Sequence, residues 1–345
     1  MDNIMLCNKI NDLNKKLPLI FNESHGLAFG KIGLAIYFYQ LMRLEDNVEY
    51  GKFAKKYLDE VSSKIDTIKE VDIKNGLSGI GLGINYLVKN GFISGNINNI
   101  LGEIDDYLFK TLSVSKYNEQ LDTLTMIQLL YYFYIRLQDQ KQDSENDYFF
   151  KEICIKTINI IYSKMGKITF GTRLIYDVEQ ELPLFLYVLS EIYNRNFYNV
   201  RIRKIVNELS PTILSSIPIL HSNRLYLLWV ISTIYKQVKL IGWKEHIELL
   251  KRELNLDEIV NIELKNRNIF FNNGVTSIFL LSDSMKDILG EEAINTFQQK
   301  LFRKIEQSEV WNLLEVNPLL NMHTGLYDGF CGAVLLLITC NKNSL

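Results

Sequence analysis

Short glycine-rich segments recur along this chain at intervals of about fifty residues. The best-preserved copies are HGLAFGKIGLAIYFY (25–39), NGLSGIGLGINYL (75–87) and HTGLYDGFCGAVLLL (323–337). Each copy places Gly-x-x-Gly at the beginning of an apolar stretch with helical spacing. Because a repeat of this period builds a repeat architecture, it constrains the fold more strongly than any single motif.

Two kinds of helical stretch alternate between these segments. One kind has a single apolar face with steps of three and four, as in KKYLDEVSSKIDTI (55–68), which is typical of an outer layer. The other kind is apolar most of the way round, as in LAIYFYQLMRL (34–44) and GAVLLLIT (332–339), and indicates a buried inner layer. Strand-like alternation is nearly absent. The pattern predicts fourteen helices in alternating outer and inner order.

Seven helical hairpins can stack as an open solenoid or close into a ring. An open solenoid needs polar faces at its two ends, whereas the last inner helix (326–338) is as apolar as the others. We therefore predict an all-α fold, an α/α toroid of seven helical hairpins, in which the last hairpin packs against the first. We expect it to form a single domain over residues 1–345.

Each repeat is anchored at the residue that matches the first glycine of Gly-x-x-Gly. A glycine there permits close approach of backbones where the inner helices crowd together. The same helix ends carry N–H groups without a partner inside the helix. The three middle anchors are placed only from the spacing of the apolar residues in their helices. The seven anchors are Gly30, Gly76, Thr123, Glu181, Asn223, Gly274 and Gly329.

Composition excludes several classes of protein. The net charge is −2, and the Lys and Arg residues are scattered, so no nucleic-acid partner is expected. The chain contains no run of eighteen apolar residues, so no membrane span is expected. The N-terminal residues do not resemble a signal peptide. The four cysteines lie far apart and indicate neither a disulfide framework nor a zinc module. We expect a cytoplasmic protein.

The segments 26–36, 76–93 and 325–337 resemble the lanthionine synthetase C (LanC) family, and the resemblance extends more faintly over nearly the whole chain. It implies a seven-hairpin α/α toroid. It also implies an enzyme that joins a peptide cysteine to a dehydrated Ser or Thr in a thioether ring. In that family a zinc ion activates the cysteine as a thiolate, so zinc is the implied cofactor.

The zinc ligands of the family are replaced in this chain. They belong to a Trp-Cys-Tyr-Gly motif in the fifth repeat and a Cys-His-Gly motif in the sixth. Here Leu220 and His221 fall in the register of Trp-Cys, and Asn272 and Asn273 stand in place of Cys-His. Gln180 takes the position where the family tends to place a histidine in the fourth repeat. One histidine and two amides do not make a zinc site, so we expect neither metal nor another cofactor.

The residues just before the anchors are expected to surround one mouth of the toroid. Two histidines beside helix starts, His25 and His323, join them because repeats one and seven become neighbours on closure. The competing interpretation for Asn75, Ser222 and Asn273 is helix capping. His246 is expected at the surface, and Cys331 in the core. The candidate substrate-binding residues are His25, Asp122, Gln180, His221, Asn272, Asn273, His323 and Asp328.

Three functions remain open from the sequence. The first is a zinc-free LanC-like pseudoenzyme of a lanthipeptide-type peptide-modification pathway that binds a precursor peptide or a partner enzyme. The second is an active peptide cyclase or another metal-free enzyme that uses the same mouth. The third is a glycoside-acting toroid in which Asp122 pairs with one of the acids Asp177, Glu179 and Glu181. The alternative for this acidic segment is a solvated loop.

Overall fold

The computed structural model describes residues 3–20, 22–114, 119–164, 180–265, 268–315 and 323–343. Asp177 and Glu179 lie outside these residues. Regular structure in the described ranges is helical throughout, which confirms the all-α class. The chain divides into two compact units: unit 1 contains residues 1–108, 268–277 and 299–345, and unit 2 contains residues 109–267 and 278–298. The expectation of a single domain therefore stays a prediction.

The longer helices have the following bounds, in chain order. They are α1 Asn3–Lys16, α2 Lys31–Glu45, α3 Val48–Ser62, α4 Leu77–Lys89, α5 Ile97–Ser113, α6 Thr123–Gln138, α7 Glu145–Lys164, α8 Glu181–Asn194, α9 Asn199–Leu214, α10 His221–Gln237, α11 Trp243–Arg252, α12 Val275–Asp283, α13 Glu291–Glu306 and α14 Phe330–Asn343. Their pairing into seven hairpins stays a prediction. None of the helices in the described residues is long and apolar enough to cross a membrane.

The alternation of helix types is clear in unit 1. Helix α2 buries residues on every side, including Leu34, Tyr37 and Phe38, whereas α3 buries one face through Ala54, Tyr57 and Val61. Helix α2 packs against α3, α4 and α14. Contact between α2 and α14 joins the last inner helix to the first, as the apolar sequence of α14 predicted.

Unit 2 follows the same packing rule. Helix α6 packs against α7 and α8, and α10 packs against α8 and α11. The expected surface position of His246 is wrong, because this side chain is only 5% exposed. It lies on the same face of α11 as Trp243 and Ile247, both of which are buried. Burial lowers the pKa of His246.

Candidate functional site

The inner helices of unit 1 begin with one repeated hydrogen bond. In each case the first helical residue donates its backbone N–H to the carbonyl seven residues earlier. The four bonds are Lys31 to Ser24 at 3.0 Å, Leu77 to Glu70 at 2.9 Å, Val275 to Asn268 at 3.0 Å and Phe330 to His323 at 3.0 Å. The residue just before each helix is the predicted anchor, so Gly30, Gly76, Gly274 and Gly329 are confirmed as anchors.

These anchors are glycines because the loop folds back against them. A Cβ atom at Gly329 would lie 2.5 Å from the backbone N and O of Gly325, and one at Gly76 would lie 2.6 Å from Asp72 N. A backbone atom cannot move away as a flexible side chain can. The expected close approach of backbones is therefore confirmed, but the backbone that approaches each of these anchors is the helix's own preceding loop and not a neighbouring inner helix.

The four loops are also joined to one another by backbone hydrogen bonds, in an arrangement that we call the belt. The belt residues stand two positions before each anchor and are Asn272, Tyr327, Ala28 and Lys74. Asn272 N–H donates to Tyr327 O at 2.8 Å, Tyr327 N–H to Ala28 O at 3.1 Å, and Ala28 N–H to Lys74 O at 2.9 Å. The loop of the last repeat is thus bonded directly to the loop of the first.

Two further glycines permit this approach between loops. A Cβ atom at Gly26 would clash with the carbonyl oxygen of Lys74, and one at Gly325 would clash with that of Ala28. Both glycines stand four positions before an anchor, in the motifs HGLAFG and HTGLYDG. They therefore mark the places where neighbouring loops meet.

Aromatic and charged side chains project from the belt loops. The rings of Phe29 and Tyr327 pack edge to face with centroids 6.2 Å apart, and Lys74 Nζ lies 5.0 Å from the centre of the Tyr327 ring. All three side chains are half-buried. Lys74 and Tyr327 were missed as candidates, although each directly precedes a residue that was considered, Asn75 or Asp328.

The predicted candidates His323 and Asp328 are neighbours in the loop before α14. The His323 ring stacks on Phe270 with centroids 5.2 Å apart. Its Nδ1 lies 3.3 Å from the backbone oxygen of Asp328, so this nitrogen is the donor of the neutral ring. The Asp328 side chain is half-buried.

Asn272 and Asn273 form a local pair. Asn273 has φ of 52°, a left-handed conformation that asparagine tolerates better than most residues. Its Nδ2 donates to Asn272 Oδ1 at 2.9 Å, while its buried Oδ1 has no hydrogen-bond partner among the described residues. Hence one amide oxygen at this helix start is unsatisfied.

His25 and His323 have different surroundings. Burial lowers the pKa of His25, and the charge of Lys31 lowers it further, while Glu60 acts in the opposite direction. Lys31 is itself paired with Glu60 on α3 at 2.8 Å. The charges that act on His25 therefore come chiefly from the Lys31–Glu60 ion pair between α2 and α3, whereas His323 contacts its own loop and Phe270.

Inner helices of unit 2 begin earlier than predicted. Helices α6, α8 and α10 are preceded by Asp122, Gln180 and Leu220, whose carbonyls accept the first helical hydrogen bonds, as those of Gly30 and Gly76 do. The predicted anchors Thr123 and Glu181 are thus one residue late, and Asn223 is three residues late. The placement of His221 at the cysteine of Trp-Cys-Tyr-Gly depended on the anchor Asn223, so the observed helix start does not support it.

Carboxylates cap two of these helix N-termini. Asp122 Oδ1 accepts a hydrogen bond from Thr125 N at 2.7 Å, which is an ordinary N-cap. Glu263 accepts from His221 N at 2.5 Å and from Ser222 N at 3.0 Å. Glu263 was not recognised in the sequence because it lies about forty residues from the helix that it caps.

His221 is fixed by the same network. Its Nδ1 accepts from Asn255 N at 3.1 Å and also faces Arg224 at 3.2 Å. Its Nε2 lies 3.0 Å from a Glu258 carboxylate oxygen. Because Nδ1 accepts a hydrogen bond, the neutral ring carries its hydrogen on Nε2 and donates it to Glu258.

The capping interpretation fails for three other candidates. Among the described residues, the side chains of Asn75, Ser222 and Asn273 accept no hydrogen bond from their own helices, and Ser222 Oγ is buried without a partner. In unit 1 the loop carbonyls already accept the N–H of the first helical residue. In the fifth repeat Glu263 takes the place of a cap. Gln180 also makes no capping hydrogen bond with its side chain.

The charge of Asp122, at the start of α6, acts on the carboxyl group of Glu181 at the start of α8. Burial raises the pKa of Glu181, and the charge of Asp122 raises it further. Glu181 is half-buried and Asp122 is exposed. The pair therefore combines one carboxyl group that protonates more readily than usual with one that serves as a helix cap.

The residues present do not fit a zinc ion. Both ring nitrogens of His221 are engaged within the protein, and Asn272 and Asn273 offer only amides. Cys331 is fully buried, and burial raises the pKa of its thiol, which disfavours the thiolate that zinc binds. In the part of the chain that the structure describes, no three His, Cys, Asp or Glu residues group in a way that could hold a metal.

The sequence matches no protein-family model and no curated protein. Among solved structures, the fold is similar to that of nisin cyclase, with a TM-score of 0.66. The two chains are 13% identical, and the similarity covers 99% of this chain and 95% of nisin cyclase. At this identity the similarity shows a shared fold, the α/α toroid of the LanC type, over essentially the whole length.

Proposed function

We propose that this chain is a cytoplasmic LanC-like protein of a lanthipeptide-type pathway that binds a precursor peptide without using zinc. The observation that carries the proposal is the fold shared with nisin cyclase over 99% of the chain. Nisin cyclase is named for its action on nisin, and we infer from the shared fold that this chain also presents a surface suited to a peptide. The belt of unit 1, with its aromatic, amide and charged side chains, is the proposed binding surface.

The proposed absence of ring-forming chemistry is supported by the residues at the helix starts. A peptide cysteine has a pKa near 8.5 in water, so it is mostly a neutral thiol at pH 7. Asn272, Asn273 and His221 do not form a site for a metal ion whose positive charge would lower the pKa of the peptide thiol. The role that remains is binding, either of the peptide alone or of the peptide together with a modifying enzyme.

The test uses a labelled peptide that carries both dehydroalanine and cysteine. We expect it to bind, while its free thiols disappear at the rate seen in buffer. Ring closure leaves the mass of the peptide unchanged, so remaining thiols are counted by alkylation followed by mass spectrometry. Faster loss of thiols in the presence of the protein would contradict the proposal and favour an active peptide cyclase.

One observation favours a second candidate, a glycoside-acting toroid. Glycosidases use a protonated carboxyl group beside an ionised one, and the raised pKa of Glu181 next to Asp122 resembles that arrangement. Asp122 is, however, already engaged as a cap. Hydrolysis of chromogenic glycosides by the wild-type protein, lost in Glu181→Gln, would support this candidate.

A further inference from the structure

The segment Asn255–Glu263, which we call the strap, follows α11 in the chain and is bonded to the start of α10. The side chain of Asn255 caps its first turn, and a π-helix, Ile259–Glu263, completes it. Single π-helical turns are rare and often lie at functional sites. Ile259 is fully buried, whereas Ile262 is 67% exposed. The strap is therefore packed against the protein on one side and faces solvent on the other.

The side chain of His221 makes two contacts with the strap. Its Nδ1 accepts a hydrogen bond from Asn255 N at 3.1 Å, and its Nε2 lies 3.0 Å from a carboxylate oxygen of Glu258. Arg224, one turn further along α10, also faces Nδ1 at 3.2 Å and donates to the backbone oxygen of Glu253, just before the strap. Nδ1 is thus a single acceptor that two donors share.

Protonation of the His221 ring reverses the role of Nδ1. An imidazolium ring donates from both nitrogens and accepts from neither. Its Nδ1–H would point at the N–H of Asn255 and at the guanidinium of Arg224, so two attractive contacts become repulsive. The contact of Nε2 with Glu258 gains charge, but the Glu258 side chain is 47% exposed, and water weakens an ion pair in such a position. The gain at Nε2 is therefore smaller than the loss at Nδ1.

The charges that act on the ring come from the strap and from α10 itself. Helices α8 and α11 also pack against α10. Among the described residues, Glu258 and Arg224 are the charged side chains within hydrogen-bond distance of the His221 ring. The carboxylate of Glu263 binds the backbone N–H of His221 rather than its ring. The strap therefore senses protonation through contacts on both sides of one imidazole.

We propose that the strap is a pH-sensitive latch on the start of α10, which the neutral His221 ring holds closed and the protonated ring releases. Opening takes up a proton, because the closed strap disfavours the imidazolium ring. A solvated histidine has a pKa near 6.5, so lowering the pH from 7.5 to 5.5 should favour the open strap about tenfold. Glu263 leaves with the strap, and α10 loses its cap in the same step. The latch operates whether or not the chain binds a peptide.

Hydrogen exchange followed by mass spectrometry of the full chain measures this opening. Protection of the strap and of the first turn of α10 is expressed relative to the unfolded chain at the same pH, which removes the intrinsic effect of pH on exchange. In the wild-type protein, these protection factors should fall about tenfold between pH 7.5 and pH 5.5. Protection of α2 in unit 1 should change far less, because the release is local.

Three variants separate the latch from a general effect of acid. His221→Asn places an amide oxygen near the position of Nδ1 and does not titrate, so the strap should stay protected at both pH values. His221→Lys carries a charge at both pH values and accepts no hydrogen bond, so the strap should be poorly protected at both. His246→Leu is the matched control. It removes another histidine of unit 2 and should leave the tenfold change in the strap intact.

Strap protection that does not change with pH in the wild-type protein would overturn the proposal. A tenfold fall that persists in His221→Asn would also overturn it, since another group would then be the switch. An equal fall in α2 would indicate general unfolding and would overturn it as well. Thermal unfolding at pH 7.5 shows whether each variant folds. If His221→Asn does not fold, His221→Gln takes its place, and the wild-type comparison of the strap with α2 still decides.

Discussion

The inner helices of unit 1 and unit 2 begin in two different ways. In unit 1, a loop carbonyl seven residues upstream accepts the first helical N–H, and a glycine lets the loop fold back closely enough. In unit 2, Asp122 and Glu263 supply carboxylates to N–H groups at the starts of α6 and α10. When a loop carbonyl is the acceptor, glycine is needed at fixed positions. When a carboxylate is the acceptor, its residue can lie far away in the sequence. The difference explains why the glycine-rich repeat is recognisable in the sequence of unit 1 and is hard to recognise in the sequence of unit 2.

The strongest test of this comparison is a side chain placed at a unit 1 anchor. Gly329→Ala puts a Cβ atom 2.5 Å from the backbone of Gly325, and we expect it to lower the free energy of unfolding by about 3 kcal/mol. The measurement is denaturant unfolding. Gly102→Ala is the matched control, because its Cβ would have nothing within 4 Å in α5. The control should be neutral or stabilising by about 0.5 kcal/mol. Equal effects would show that the loop does not press on the anchor.

The next largest effect is expected at the carboxylate cap of α10. Glu263→Ala leaves two helix-start N–H groups without their acceptor and should cost about 2 kcal/mol. Glu263→Gln keeps one acceptor oxygen and should cost about half as much. Glu248→Gln, which removes an exposed carboxylate paired with Lys251, should have almost no effect. A loss for Glu263→Ala no larger than for Glu248→Gln would contradict the capping role.

A smaller effect is expected at α6. Asp122→Ala removes the cap on Thr125 N and should cost about 1 kcal/mol, whereas Asp122→Asn retains an acceptor and should cost a few tenths, ~0.3 kcal/mol. Both values come from the same unfolding assay. If the two variants were equally destabilised, the charge of Asp122 rather than its hydrogen bond would be the stabilising factor.

The smallest expected effect is a dependence of stability on pH. Burial lowers the pKa of His25 in unit 1 and of His246 in unit 2, so both are more readily protonated when unfolded. The folded state therefore loses stability as the pH falls below the unfolded value of about 6.5 and toward the lowered folded values. His246→Leu should reduce this loss, as measured by melting temperature from pH 8 to pH 5. An unchanged pH profile in His246→Leu would show that His246 does not contribute.

The sequence predicted unit 1 better than unit 2 for a physical reason. The anchors Gly30, Gly76, Gly274 and Gly329 were correct because close backbone approach tolerates only glycine, and glycine is easily recognised. The anchors Thr123, Glu181 and Asn223 were late because apolar helices give no sharp signal for their first residue. The start of α10 depends on Glu263, which only the tertiary structure brings to it.

The candidate site was predictable in part for the same reason. Residues close to the glycine anchors, such as Asn272, Asn273 and Asp328, were identified because the anchor fixes their position. Lys74 and Tyr327 were not identified, because they are brought together by backbone hydrogen bonds between loops that are distant in the sequence. His246 was placed wrongly because a charged-looking segment, GWKEHIELL, hides the buried face of α11.

The central claim has two parts. Backbone carbonyls and carboxylates of the protein accept the N–H groups at the starts of the inner helices, and the residues at these starts do not form a zinc site. Metal analysis of the purified protein, after equilibration with zinc and dialysis, tests this claim most directly. We predict far less than one zinc ion per chain, with the same melting temperature before and after treatment with a chelator. About one zinc ion per chain that survives dialysis, with a melting temperature lowered by the chelator, would contradict the account.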